Sequence, residues 1–142
     1  MSMLLDTNVL SELLRAAPDP AVTAWVIAQP AESLFVTSVT EAEMRLGARL
    51  IPSSKRRQLL EAALIAMFTE DFAGRIRPFD TDAVPGYVEI VSKRRAAGRP
   101  ISQFDGQIAA IAMCHGDRLA TRNVTDFEGC GVSLVDPWTF AA

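Results

Sequence analysis

The stretch "MLLDTNVLSELLR", residues 3–15, changes its hydrophobic period half-way along. Met3, Leu4 and Leu5 form an apolar run too short for a buried helix, and it reads as a short interior strand. Beyond it, Val9, Leu10, Leu13 and Leu14 recur at i, i+1, i+4 and i+5, the spacing of one helix face. Asp6 stands at the junction. In an α/β sheet the carboxyl ends of the strands face the crevice in which ligands bind. An aspartate or threonine at a helix start is also a good cap, so this stretch by itself leaves both roles open for Asp6 and Thr7.

The rest of the chain repeats the alternation. "PDP" at 18–20 ends the first helix, with Asp19 placed to cap a short second one over 21–29 and Pro20 at its first position. "SLFVTS" (33–38) is β-branched and aromatic and predicts a strand; residues 39–50 and 55–72 predict helices, the second ending near Gly74. "RIRPFD" (75–80) predicts a third strand, followed by a helix from Thr81 or Asp82 to Ala97 that carries Pro85 and Gly86 in its first turns. After the loop "AGRPIS", residues 103–115 form a strongly apolar helix stopped at Gly116. "RLAT" (118–121) is a fourth strand and "VSLVDP" (132–137) a fifth at an edge. Such alternation predicts one parallel or mostly parallel sheet of four or five strands between helical layers.

Composition narrows the class. The 142 residues suit a single domain over 1–142, and 49% hydrophobic against 22% charged residues describes a globular chain. The longest uncharged stretch, 20–31, falls short of the roughly 18 residues of a membrane span. No basic leader runs into an apolar stretch, so no secretory signal is expected. Cys114 and Cys130 have neither metal-type spacing nor the number for a disulfide framework, which points to a reducing cytoplasm. The net charge of -3 argues against a polyanionic partner, yet Lys55, Arg56 and Arg57 in "SKRRQ" and Lys93, Arg94, Arg95 and Arg99 in "SKRRAAGR" make up half of the 14 basic residues. Runs of this kind are phosphate-tracking patches or solvated helix faces.

The acids follow the same logic as Asp6. "SVTEAEMRLGA" (38–48) opens a helix directly after the second strand and carries Glu41 and Glu43. "SQFDGQIAAIA" (102–112) opens another with Asp105, and "ATRNVTDFEG" (120–129) follows the fourth strand with Asn123 and Asp126. In a βαβ sheet, helix starts and strand ends share one edge, so all of these residues meet there. Carboxylates crowded together repel unless some are protonated or a cation sits among them. With oxygen donors and neither histidine nor cysteine in the set, that cation is hard, Mg²⁺ or Mn²⁺. Each acid also has a structural use: Thr40-x-x-Glu43 and Ser38-x-x-Glu41 both fit a capping box, Ser102-x-x-Asp105 fits a capping pattern, and Asp126 suits a turn. Gly106 weakens its helix by about 1 kcal/mol relative to alanine, which calls for a close approach to its backbone by a ligand or by a neighbouring helix.

Together "LLDTNVLSELL", "TSVTEAEMRLGA", "DGQIAAIA" and "ATRNVTDFEGCGV" resemble PIN-domain proteins, and more narrowly the ribonuclease toxins of VapBC-type toxin–antitoxin modules, including the FitB-like branch. The resemblance runs in order along essentially the whole chain. It implies an α/β/α sandwich, a Mg²⁺- or Mn²⁺-dependent endoribonuclease leaving a 5′-phosphate and a 3′-hydroxyl, a cognate VapB-type antitoxin that blocks the site, and a homodimer. By position, Asp6, Glu43 and Asp105 match the family's first three acids; the fourth falls on Asn123 in some relatives and on Asp126 in others. The resemblance therefore implies Asp6, Glu43, Asp105 and Asp126 as catalytic and metal-holding residues, with Asn123 as the alternative fourth ligand.

Given that reading, Arg45 and Arg49 on the Glu43 helix, with Lys55, Arg56 and Arg57, are candidates for RNA phosphates. His115, the one histidine, ends an apolar helix and suits its dipole. Trp25 and Trp138 are either core residues or platforms for bases. A haloacid-dehalogenase-type phosphatase needs D-x-D where this chain has Asp6-Thr7-Asn8, and a receiver domain needs a late lysine where the last is Lys93. The alternative from another class is a PIN-like RNA-binding or protein-interaction module without activity.

Overall fold

The computed structural model describes residues 1–141. Five strands form one sheet: β1 (Met3–Leu5), β2 (Leu34–Thr37), β3 (Ile76–Arg77), β4 (Arg118–Ala120) and β5 (Leu134–Val135). Their order is β3-β2-β1-β4-β5 and every neighbouring pair is parallel. The register sets Leu4 beside Phe35 on one side and Leu119 on the other.

Side chains on a strand alternate between faces, and the core divides accordingly. Met3, Leu5, Leu34 and Val36 face one layer, made by α1 (Thr7–Leu13), α2 (Pro20–Ala28) and α4 (Lys55–Ala66). Leu4, Phe35 and Leu119 face the other, made by α5 (Val84–Ala96) and α6 (Gln103–His115). α3 (Ser38–Arg49) bridges the layers, with Val39 in one core and Ala48 in the other. This is the three-layer α/β/α sandwich expected, with five strands and a sheet that is wholly parallel. Among the described residues no helix is long and apolar enough to cross a membrane.

Local signals set most boundaries. Asp19 accepts from Ala21 N with Pro20 at the first position of α2, and Ser102 Oγ accepts from Asp105 N at the start of α6. Gly116 ends α6 in the left-handed conformation at φ 67°, where a Cβ is disfavoured. Pro85 is accommodated because a 3-10 turn over Thr81–Ala83 leads into α5 and leaves it in the first turn, where no N–H is needed.

Three expectations change. The helix expected over 55–72 stays α only to Ala66 and then widens into a π turn, Met67–Asp71, with Phe72 N donating to Met67 O at 3.0 Å. Thr69 Oγ1 takes the Ile65 carbonyl at 2.7 Å, and the wider turn lets Met67, Phe68 and Phe72 all enter the core. The third strand is two residues long, because Pro78 has no N–H to continue the ladder. The cap of α3 is Thr37, whose hydroxyl accepts from Thr40 N at 3.0 Å, so neither capping box forms and Glu43 is left free of one. At Gly106 the close approach is by helix α5: a Cβ there would lie 3.1 Å from Tyr87 and 3.2 Å from Val91.

Candidate active site

The strand order turns at β1, which has β2 on one side and β4 on the other. Strand ends diverge from such a switch point and leave a crevice. Here it is a cleft of about 540 Å³, whose lining includes Asp6, Glu43, Asp105 and Asn123.

Asp6 follows β1 and is 5% exposed. Its main-chain N–H donates to Ala120 O at 2.9 Å, continuing the ladder with β4. Its carboxylate caps α1 by accepting from Thr7 N at 2.8 Å, and also accepts from Thr121 Oγ1 at 2.8 Å and Asn8 Nδ2 at 3.2 Å. Capping and a place in the cleft are therefore held by the same side chain. Asn8 reaches across β1 and β4 with its other atom, Oδ1 accepting from Arg122 N at 3.2 Å. Thr7 Oγ1 donates to Glu43 Oε1 at 3.1 Å and lies 3.0 Å from Thr40 Oγ1. Because the single Thr7 hydroxyl proton goes to Glu43, Thr40 is the donor in that contact. Each residue of the D-T-N opening thus aligns a part of the cleft: Asp6 itself, Glu43 through Thr7, and the 121–123 segment through Asn8.

The carboxylates share a high-energy environment. Burial, then the charges of Asp105 and Glu43, push the Asp6 carboxyl up to about 6, against the pull of the Thr121 and Thr7 hydrogen bonds. Glu43 is raised by burial and by Asp105, opposed by Thr7. Asp105 is raised by burial and by Asp126, opposed by Ser102 and the Arg94 charge. Among the described residues, none of Asp6, Glu43 and Asp105 is in an ion pair. Buried and half-buried acids that lack an ion-pair partner are the condition under which a cation binds well. The donors are all oxygens, the set preferred by Mg²⁺ and Mn²⁺. Among the described residues no three His, Cys, Asp or Glu side chains come together closely enough to hold a metal ion on their own.

A family model described as PIN domain matches residues 3–128. The chain belongs to the PIN domain family. This PIN domain is 41% identical over 136 residues to the VapC ribonuclease Y4jK of Sinorhizobium fredii, a match covering 96% of this chain and 97% of that one. It is 38% identical over 136 residues to the toxin FitB of Neisseria gonorrhoeae, covering 96% and 98%. The crystal structure of FitAcB from Neisseria gonorrhoeae superposes with a TM-score of 0.91 at 38% identity, over 97% of this chain and 99% of that one.

The cleft of this PIN domain gathers Asp6, Glu43, Asp105 and Asn123, whereas Asp126 lies in an adjoining cavity of about 200 Å³ that it shares with Asp105, Ser102 and Arg94. Asp126 belongs to a 3-10 turn, Val124–Phe127, whose shape is set from behind by buried Arg94. That guanidinium donates to the carbonyls of Asp126 at 2.8 Å, Glu128 at 3.0 Å and Arg99 at 2.6 Å. Part of the "SKRR" run is thus a loop clamp and not a phosphate patch. The candidate RNA-binding arginines on α3 and α4 are similarly engaged: Arg49 forks onto Glu61, Arg57 pairs with the same Glu61 at 3.0 Å, and Arg45 pairs with Glu41 at 3.5 Å. Lys55 and Arg56 are exposed and do not line the cleft. His115 is exposed at the end of α6, and Trp25 is buried in the core. Sequence reasoning missed Thr40, Thr121, Arg15 and Arg122. Thr121 was accessible in principle: it follows β4 as Asp6 follows β1, and the pairing of Leu5 with Ala120 sets the two side by side.

Proposed function

We propose that this chain is a metal-dependent endoribonuclease, the toxin of a toxin–antitoxin pair. The observation that carries the reading is that Asp6, Glu43, Asp105 and Asn123 line one cleft at the switch point, with none of the three acids in an ion pair among the described residues. The relatives named a VapC ribonuclease and a FitB toxin support it. A cognate VapB-type antitoxin is the partner in this reading, and the cytoplasm, where RNA and the free thiols Cys114 and Cys130 are both at home, is the compartment.

In this reading Asp6 and Asp105 hold Mg²⁺ or Mn²⁺, with Asn123 and Glu43 beside them; Mg²⁺ keeps several waters of its own, so an incomplete protein cage suits it. When bound, the ion lowers the pKa of a coordinated water and draws charge from the phosphodiester. The protein's own work is alignment. Asp6 is locked by three donors, and Thr121, one of them, is tied in turn to the 121–123 segment through Asn123 N at 3.0 Å. Glu43, raised by burial, is aimed by the Thr40–Thr7 hydroxyl chain, whose hydrogen bond favours its ionised form, the form whose free oxygen can accept the proton of an attacking water. No side-chain nucleophile is required. Asp126, set outside the cleft, acts through the charge it presents to Asp105.

The test is cleavage of a pool of structured and single-stranded RNAs by antitoxin-free protein with Mg²⁺ or Mn²⁺, with chelator, and with Asp105→Asn. Metal-dependent cutting that vanishes in the variant is the expected result. Equal silence of both proteins across the pool, with cation still bound, refutes it in favour of an inactive module.

A further inference from the structure

A polyanion entering an acidic cleft on a chain of net charge -3 needs a cation set apart from the acids. Arg15 lines the cleft but is tied to Glu12 at 2.9 Å. Arg122 is different. It is exposed, lines the same cleft, and has no ion-pair partner among the described residues. Its guanidinium lies 5.2 Å from the centroid of the Trp138 ring. That indole also lines the cleft, sits in a turn pinned by Asp136 Oδ1 on Trp138 N at 2.9 Å, and packs against the core. The Arg122 main chain is fixed as well, through Asn8 Oδ1, to the residue that holds Asp6. Arg122 is not a counter-ion to the acids, since it pairs with none of Asp6, Glu43 and Asp105.

We propose that Arg122, laid against Trp138, is a subsite for a phosphate neighbouring the scissile one in the RNA strand, with Trp138 as its positioning residue. The proposal rests on the ribonuclease reading. A guanidinium presents a planar fork matched to two phosphate oxygens, and a stacked one loses less freedom when it binds. Because Arg122 and the acids line one cleft, a single strand bound there can meet both. The contact is to backbone phosphate, so it strengthens binding of every sequence and selects none.

The experiment follows binding and cleavage separately. Binding of a fluorescein-labelled, random-sequence, single-stranded RNA is measured by anisotropy over a salt series in the Asp105→Asn background; cleavage is measured with Asp105 intact. Arg122→Ala is expected to weaken binding about tenfold across sequences and to make the log–log salt dependence shallower by about 0.7, the share of one phosphate contact on a single strand. In cleavage the loss falls on KM. Arg122→Lys keeps the slope, and Trp138→Leu, checked for folding by its thermal transition, weakens binding with the slope kept. Arg122→Ala with wild-type affinity and slope overturns the subsite even if the protein cuts RNA. A slope difference in a protein that never cuts overturns the ribonuclease reading, and with it the place beside a scissile phosphate, and leaves Arg122 as an RNA-phosphate contact. If the protein neither binds nor cuts, both fall.

Discussion

Replacing Asp6 with asparagine is expected to stabilise the protein in the absence of divalent cations. Asp6 is 5% exposed and its carboxyl is pushed from 3.8 up to about 6, first by burial and then by Asp105 and Glu43. Each unit is worth about 1.4 kcal/mol, so the ionised side chain costs the fold up to about 3 kcal/mol. The folded protein holds this proton more tightly than the unfolded chain does. Stability therefore falls as the pH rises from about 4 to 6 and stays low above that. Asn keeps an acceptor for Thr7 N, and Asn8 Nδ2 keeps the Thr121 hydroxyl as a partner, but the buried Thr121 O–H loses the carboxylate oxygen it donates to, at a cost of about 1 kcal/mol. The net gain at about pH 8 is on the order of 2 kcal/mol, a rise in Tm of roughly 4–8 °C. The assay is thermal unfolding followed by circular dichroism in chelator across that range. The gain should shrink towards about pH 4, where the wild-type carboxyl is already neutral. Adding Mn²⁺ should raise the Tm of the wild type and leave that of Asp6→Asn nearly unmoved. A variant no more stable than wild type at the alkaline end, or a difference flat with pH, would refute the account of Asp6 as a charge held without compensation.

Two further outcomes follow from the same contacts. Thr7→Val removes the hydroxyl that favours the ionised form of Glu43, so the Glu43 carboxyl should titrate at higher pH by NMR and the acidic limb of the cleavage profile should move the same way; an unmoved Glu43 would show that Thr7 only packs there. Arg94→Met should cost about 3 kcal/mol or more in urea unfolding, because the carbonyls of Arg99, Asp126 and Glu128 lose a buried, charge-assisted donor together; a loss below about 1 kcal/mol would mean that the turn holds its shape without the clamp.

Much of the fold is legible in the chain because helices and strands are local. The changes of period at Asp6 and Thr37, the caps at Asp19 and Ser102, and the stop at Gly116 all act within a few residues of themselves. Even where the expectation shifted, at Thr37 and in the π turn after Ala66, the deciding bonds are three to five residues long. The acids Asp6, Glu43 and Asp105 could also be placed together from sequence, since helix starts and strand ends of a parallel sheet share an edge whatever the strand order. Partner choice across that edge depends on the order itself. Asp6 meets Thr121, 115 residues away, and Thr7 meets Glu43, 36 away, only because β1 lies between β2 and β4. The same arrangement puts Asn123 in the main cleft and Asp126 beside Asp105 outside it, and sets Arg122 against Trp138. Hydrophobic period and capping determine the elements and the edge on which the acids gather. Which polar groups face one another there is decided by how the strands are ordered, because a hydrogen bond or an ion pair is set by distance in space, and the period of a sequence carries no measure of it.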